Sequence, residues 1–458
     1  MATHDLVIVG GGTAGLVTAA GAATLGARVA LVERERLGGD CLWTGCVPSK
    51  ALIAAARNRQ LTGRGGWAEA ASWMRDARAR VAPHDDPERF RAMGVEVIFS
   101  RARLAGPSRV ETNGRILAAK RIVIATGSSP TAPPIPGLAE VGHLTHVTAF
   151  EQETLPPRIT MLGGGPIGLE MAQTYARLGA RVTVLELLPE VLPNEDPEVG
   201  RFIRERLGEE GVTVRTGFGA THVFRDGTEK VICGAQGERI VGDELFVATG
   251  RRANTADLDA ERAGVALDRG AVRVNGRLET TRPGIWAAGD VTGGLQFTHV
   301  ADYMARVVVQ NALTPLKTKA NYRVVPWVTY TDPEVARVGL TEAEAAARGE
   351  RALVFRSDFA DVDRAIVDGA TTGFVKIVTR RNGQILGATI VGRGAGELIM
   401  ELVLAMRFGI PLPKLNGVIH PYPTMSEITR QAAGNWYRKR YSDTFRGRLL
   451  RRLIRWWL

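Results

Sequence analysis

Two segments of this chain of 458 residues match at a constant offset of 153 residues, and that repeat limits the fold more than any other feature. The first reads Leu6-Val7-Ile8-Val9-Gly10-Gly11-Gly12-Thr13-Ala14-Gly15, then Leu25-Gly26-Ala27-Arg28-Val29, then Leu31-Val32-Glu33. The second reads Ile159-Thr160-Met161-Leu162-Gly163-Gly164-Gly165-Pro166-Ile167-Gly168, then Leu178-Gly179-Ala180-Arg181-Val182, then Val184-Leu185-Glu186. Each predicts a strand, a glycine turn, an amphipathic helix and a second strand that ends on an acid. A lone G-x-G-x-x-G is a weak signal, but here Glu33 and Glu186 each fall 18 residues past the last glycine. The first glycine makes the tight turn, the second admits a pyrophosphate to the backbone, and the third allows close packing of helix on strand. The helix N-terminus then faces the phosphates, and the acid meets the ribose hydroxyls. The chain is expected to bind two dinucleotides.

Between the repeats lies Gly38-Gly39-Asp40-Cys41-Leu42-Trp43-Thr44-Gly45-Cys46-Val47-Pro48-Ser49-Lys50, followed by the alanine-rich run from Ala51 to Ala56. That run predicts a helix with Pro48 in its first turn, where a missing N–H costs nothing. Cys46 then stands at or just before the helix N-terminus, where the dipole stabilises a thiolate. Lys50, four residues on, projects from the same face. Four intervening residues let Cys41 return toward Cys46, although spacing alone does not fix their distance. A redox pair competes here with a zinc site, which would need a second ligand pair that the chain lacks, and with two unrelated core cysteines. Cys233, the third and last cysteine, stands alone in a predicted strand and reads as structural.

Three cysteines are no disulfide framework. No apolar run is long enough to span a bilayer, and the N-terminus enters a strand at once without a leader pattern, so a cytoplasmic location is expected. The net charge of +11 is largely local. Tyr437 to Leu458 holds eight basic residues against one acid, Asp443, leaving +4 for the rest. From Arg446 to Leu458 the residues Leu449, Leu450, Leu453, Ile454, Trp457 and Leu458 share one helical face, opposite Arg448, Arg451, Arg452 and Arg455. The pattern fits an interfacial helix on an anionic membrane and, equally, a helix packed on the body or a dimer partner. No recognition motif accompanies the basic stretch, so nucleic acid is not an expected partner.

The stretch from Gly38 to Lys50 resembles the active-site signature of the pyridine nucleotide-disulfide oxidoreductases, the family of dihydrolipoamide dehydrogenase, glutathione reductase and mercuric reductase. The resemblance continues at Ala125-Thr126-Gly127 and Ala248-Thr249-Gly250-Arg251, at Trp286 to Val291, and at Tyr330 to Ala336 with Val338 to Glu342. It implies an α/β fold with two Rossmann-like dinucleotide-binding domains and a C-terminal α/β dimerisation domain. The FAD domain is expected over 1–150 and 277–325, the NAD(P) domain over 151–276, the interface domain over 326–440 and a basic amphipathic tail over 441–458. FAD would be held by Gly10, Gly12, Gly15, Glu33, Gly127 and Asp290, and the nicotinamide cofactor by Gly163, Gly165, Gly168, Glu186 and Gly250. Cys46 would be the thiol against the flavin and Cys41 the outer thiol. Lys50 would lie near the reactive flavin nitrogen and pair with Glu170. Glu186 favours NADH, because a carboxylate there repels a 2′-phosphate.

The resemblance also implies a homodimer, with Tyr422 and Glu427 facing Cys41 of the partner chain. Thiol-handling members carry His before Pro-Thr, where this chain has Tyr422 before Pro423-Thr424, with Glu427 retained. Histidine titrates near neutrality, whereas a tyrosine of pKa about 10 is a poor proton shuttle. His420, two residues earlier, either reaches the site or is simply packed. Tyrosine at this position and the segment His84 to Phe90 resemble mercuric reductase, but the chain has no C-terminal cysteine pair and no metal-binding domain is expected before Met1. The implied activity is an NAD(P)H-dependent flavoprotein reductase acting through Cys41 and Cys46 on a small-molecule or metal-ion acceptor. The alternatives are a dihydrolipoamide dehydrogenase or other disulfide reductase, and a membrane-associated quinone-type reductase or redox sensor.

Overall fold

A computed structural model describes residues 3–441 and 444–458, apart from the side chain of Arg446. Asp443, the one acid counted in the basic stretch, lies outside the described residues. The chain divides into two compact units. The first comprises 1–163, 174–187 and 218–321, and the second 164–173, 188–217 and 322–458.

In the first unit, the strand His4–Val9 lies parallel between Val29–Glu33 and Arg115–Ile124, and Val95–Phe99 extends the sheet beyond Val29–Glu33. Leu6, Val7 and Ile8 are fully buried, as a parallel strand covered on both faces must be. Arg115–Ile124 is long enough to serve two pairings. Its first half pairs antiparallel with Arg109–Thr112, and its second half takes Ile285–Ala287 as a further parallel neighbour. A strand more than 160 positions downstream thereby closes onto the N-terminal sheet.

The second repeat rebuilds the same unit. Arg158–Leu162 lies parallel between Arg181–Leu185 and Glu244–Val247. The closing hydrogen bonds match in kind: Gly10 N–H donates to Val32 and Ala125 N–H to Val9, while Gly163 N–H donates to Leu185 and Ala248 N–H to Leu162, all at 2.8–2.9 Å. An antiparallel meander over Ala220–Asp226, Glu229–Gly234 and Arg239–Gly242 carries Cys233, buried in its middle strand as the sequence suggested.

The second unit is built on a five-stranded antiparallel sheet in the order Pro326–Thr329, Glu334–Gly339, Ile385–Gly392, Phe374–Thr379 and Leu353–Asp358. Helices Ala395–Phe408 and Glu427–Tyr441 cover it, enclosing Val338, Phe355, Ile377, Ile390, Leu402 and Trp436. No helix among the described residues is long and apolar enough to cross a membrane.

Candidate active site

Each glycine of the first turn answers to a different demand. Gly10 has φ +110°, and a Cβ there would lie 2.3 Å from the Ala125 carbonyl oxygen. A Cβ on Gly15 would lie 1.8 Å from the Gly10 oxygen, so only glycine lets the helix Thr13–Thr24 start this close to the strand. Gly12 is different: its φ is −80°, open to any residue, and a Cβ would meet only the Gly39 Cα, at 3.8 Å. Nothing within the protein requires glycine there, whereas a pyrophosphate approaching the backbone does. The helix has no side-chain cap and no acid in its first turn, so its leading N–H groups are available to an anion. Glu33 accepts the Gly11 N–H at 2.6 Å and the Glu35 N–H at 2.9 Å, which fixes its carboxylate beside the turn.

The second turn repeats this division. Gly163 has φ +109° with a would-be Cβ 2.5 Å from the Ala248 oxygen, and Gly165 has nothing within 4 Å of one. Gly168 is buried, and the helix Pro166–Leu178 also lacks a first-turn acid. Glu186 is buried just past the strand Arg181–Leu185. Both turns therefore fit dinucleotides.

The helix that follows the cysteine segment runs Cys46–Thr62, so it begins at Cys46 itself. Its N-cap, Gly45, offers no side-chain acceptor and the first turn holds no acid, so the positive dipole end is left to Cys46. The Cys41 thiol is hydrogen-bonded to Cys46, and that bond, then burial and the Cys46 charge, push its pKa well up, with Asp85 adding in the same direction. The raised Cys41 thiol and the dipole end at Cys46 act in the same direction, toward negative charge on Cys46. The hydroxyl of Thr298, the first residue of helix Thr298–Leu313, lies 3.3 Å from the Cys46 sulfur. Lys50 sits one turn into the Cys46 helix.

Asp40, the residue before Cys41, belongs to a polar network centred on Arg251. Its guanidinium reaches the Asp40 carboxylate, the Ser128 hydroxyl at 2.7 Å and the His146 ring at 2.6 Å. Ser128 in turn donates to Asp290 at 2.6 Å. Gly127 and Gly250, both at positive φ, precede the paired strands Ser128–Pro130 and Arg251–Ala253 that hold this network.

In the second unit Glu170 is buried and accepts the Tyr330 N–H at 2.8 Å. Tyr422 is exposed and lines a cavity of about 340 Å³ with Asp363, Arg364, Thr424, Glu427 and Arg430. Its phenol donates to Asp363 at 2.9 Å, and this carboxylate raises the phenol pKa further. Glu427, the first residue of its helix, is ion-paired with Arg430, which lowers its pKa. The His420 ring is buried, with one nitrogen 3.0 Å from the Val418 carbonyl and the other 3.0 Å from Glu401. Within the single chain the His420 ring is thus packed against Glu401.

The sequence model of the pyridine nucleotide-disulphide oxidoreductases matches residues 4–305, and that of their dimerisation domain matches 325–433. The chain belongs to this family. A dihydrolipoyl dehydrogenase of Thermus scotoductus is 38% identical over 453 residues, 94% of this chain and 97% of that protein. A mercuric reductase of Bacillus cereus is 36% identical over 441 residues, 93% of this chain and 70% of the relative. Among solved structures, the Cu(II) complex of the HOCl-induced flavoprotein disulfide reductase RclA from Escherichia coli superposes with a TM-score of 0.89 at 30% identity, covering 95% of this chain and all of that one. The family uses FAD and NAD(P)H, and the dimerisation-domain match supports a homodimer.

For a disulphide oxidoreductase, the residues that sequence reasoning missed are Asp40, Arg251, His146, Ser128 and Thr298. Asp40 stands in the cysteine segment and Arg251 follows Gly250 in the second closing turn, whereas no sequence motif marks His146. Burial would raise the Asp40 carboxyl, but His146 and Arg251 outweigh it and hold the pKa at about 2, against an ordinary 3.8. A depressed carboxyl stabilises the fold above its unfolded pKa and loses that contribution as pH falls through the folded value. The Asp40 side chain is 43% exposed, so the discounted contribution is about 1 kcal/mol. Asp40→Asn is expected to lower urea stability by that amount at neutral pH, the difference closing as pH falls from about 4 toward 2. A gap that stays constant across that range rejects the assignment.

Proposed function

We propose that this chain is an NADH-dependent, FAD-containing reductase that passes two electrons through a Cys41–Cys46 disulfide to an acceptor, most similar to the catalytic core of mercuric reductase. The contact between Cys41 and Cys46 at an uncapped helix N-terminus carries the proposal. In this reading the FAD domain spans 1–150 and 277–325, the nicotinamide domain 151–276 and the interface domain 326–440. Gly10, Gly12, Gly15, Glu33, Gly127 and Asp290 hold FAD, and Gly163, Gly165, Gly168, Glu186 and Gly250 hold the nicotinamide cofactor. Bound FAD supplies the hydride chemistry between nicotinamide and sulfur. Cys46 carries the thiolate, the Thr298 hydroxyl stabilises it, and Cys41 keeps the proton and meets the acceptor. Lys50 supplies a fixed positive charge that favours electron-rich states of the site.

The acceptor reading rests on Tyr422. A phenol that already donates to Asp363, with its pKa raised, does not take a proton from a thiol. That favours an acceptor needing no proton shuttle at this wall, such as a soft metal ion bound by thiolates. The 38% identity with a dihydrolipoyl dehydrogenase supports a disulfide acceptor as the second reading.

Anaerobic titration of the holoprotein with NADH is expected to produce a long-wavelength thiolate-to-flavin charge-transfer band. Its absence would defeat the cysteine relay. Turnover with Hg(II), lipoamide, glutathione disulfide and quinones then ranks the acceptors, and lipoamide turnover matching Hg(II) turnover would favour the second reading. Glu186, buried at the end of the second repeat, is expected to give kcat/KM for NADH on the order of tenfold above that for NADPH, a difference of about 1.4 kcal/mol. A clear NADPH preference contradicts this.

A further inference from the structure

From Arg448 onward the helix Phe445–Trp457 sorts its side chains by face. At about 100° per residue, Leu449, Leu450, Leu453, Ile454, Trp456 and Trp457 fall in one half of the circumference. Arg448, Arg451, Arg452 and Arg455 occupy the other. The apolar six remain 44–83% exposed, and both tryptophans are at the upper end of that range. Packing on the chain's own body, one of the alternatives the sequence left open, therefore does not account for this face. Arg438, Lys439 and Arg440 end the preceding helix and extend the positive charge.

We propose that this helix docks flat on an anionic lipid surface. Thirteen residues span about 20 Å, short of a hydrocarbon core of about 30 Å, so the helix lies in the interface rather than crossing it. The arginines complement lipid phosphates and carboxylates, and tryptophan is the residue suited to the boundary between acyl chains and headgroups. Residues 444–458 contain five arginines and no acid, so pairing with a second copy would gather five arginines from each chain with nothing in either helix to neutralise them. An anionic bilayer supplies that neutralising charge. The inference is independent of which acceptor the enzyme reduces.

The test uses the complete holoprotein and vesicle sedimentation. Vesicles of phosphatidylserine and phosphatidylcholine in equal parts are expected to pellet it at low ionic strength. Pure phosphatidylcholine should bind roughly a hundredfold more weakly, and molar salt should release the protein. Arg451→Glu combined with Arg452→Glu should weaken binding at least about tenfold, and truncation after Tyr441 should abolish it. NADH oxidation and flavin absorbance in solution report that each variant is folded. Holoprotein that stays in the supernatant with the mixed vesicles overturns the proposal, as does a truncated form that pellets equally. A truncation that lowers the oligomeric mass while vesicle binding is absent from the start also overturns it, in favour of docking between copies.

Discussion

Replacing Cys46 by serine is expected to lower acceptor reduction at least about a thousandfold, the scale at which removing a nucleophile costs an enzyme its chemistry. A serine hydroxyl does not ionise near neutrality and forms no bond to the Cys41 sulfur, so both the thiolate and the two-electron store vanish together. The substitution is nearly isosteric, and the helix dipole, Gly45 and the Thr298 contact remain, so the fold should persist. Stoichiometry separates this from general damage. The parent holoprotein should take up two electron pairs per chain from NADH, one in the flavin and one in the disulfide, and expose two new thiols. The variant should take up one pair and expose none. Acceptor turnover above a tenth of the parent value would place the essential sulfur elsewhere.

The second large effect concerns the first glycine turn, where two substitutions are expected to fail for different reasons. Gly15→Val would drive a Cβ to 1.8 Å from the Gly10 oxygen. Gly10 cannot yield, because its N–H is bonded to Val32 and its own Cα faces the Ala125 carbonyl. The helix would have to leave the sheet, so the protein should be recovered insoluble or colourless. Gly12→Ala is the sharper experiment. Its φ of −80° suits alanine, and its nearest neighbour would be 3.8 Å away, so stability should change by less than about 1 kcal/mol. FAD affinity should nonetheless fall by roughly tenfold to a hundredfold, because the methyl occupies the path of the pyrophosphate. Unchanged FAD affinity in a folded Gly12→Ala protein would remove the pyrophosphate from this turn.

Much of this enzyme was already written locally. Gly10 to Glu33 and Gly163 to Glu186 each specify a unit within thirty residues, because tight turns, helix starts and strand periodicity depend on neighbours in sequence. The segment Gly38 to Lys50 likewise fixed a cysteine at a helix start, since Pro48 and the alanine run settle where that helix begins. Other features had no local cause. Arg251 finds Asp40 from 211 positions away, Thr298 reaches the Cys46 sulfur across 252, and Tyr422 turns its phenol to Asp363 across 59. The sequence by itself thus determined the dinucleotide turns and the cysteine pair, and family resemblance extended that to the whole architecture. Only the tertiary structure decided that Arg251 pairs with Asp40, that the His420 ring is buried against Glu401, and that the apolar face of the last helix stays open. The physical reason is range: turns and caps are set by dihedral angles and adjacent side chains, whereas ion pairs and burial are set by whichever distant segments the folded backbone brings within a few ångströms.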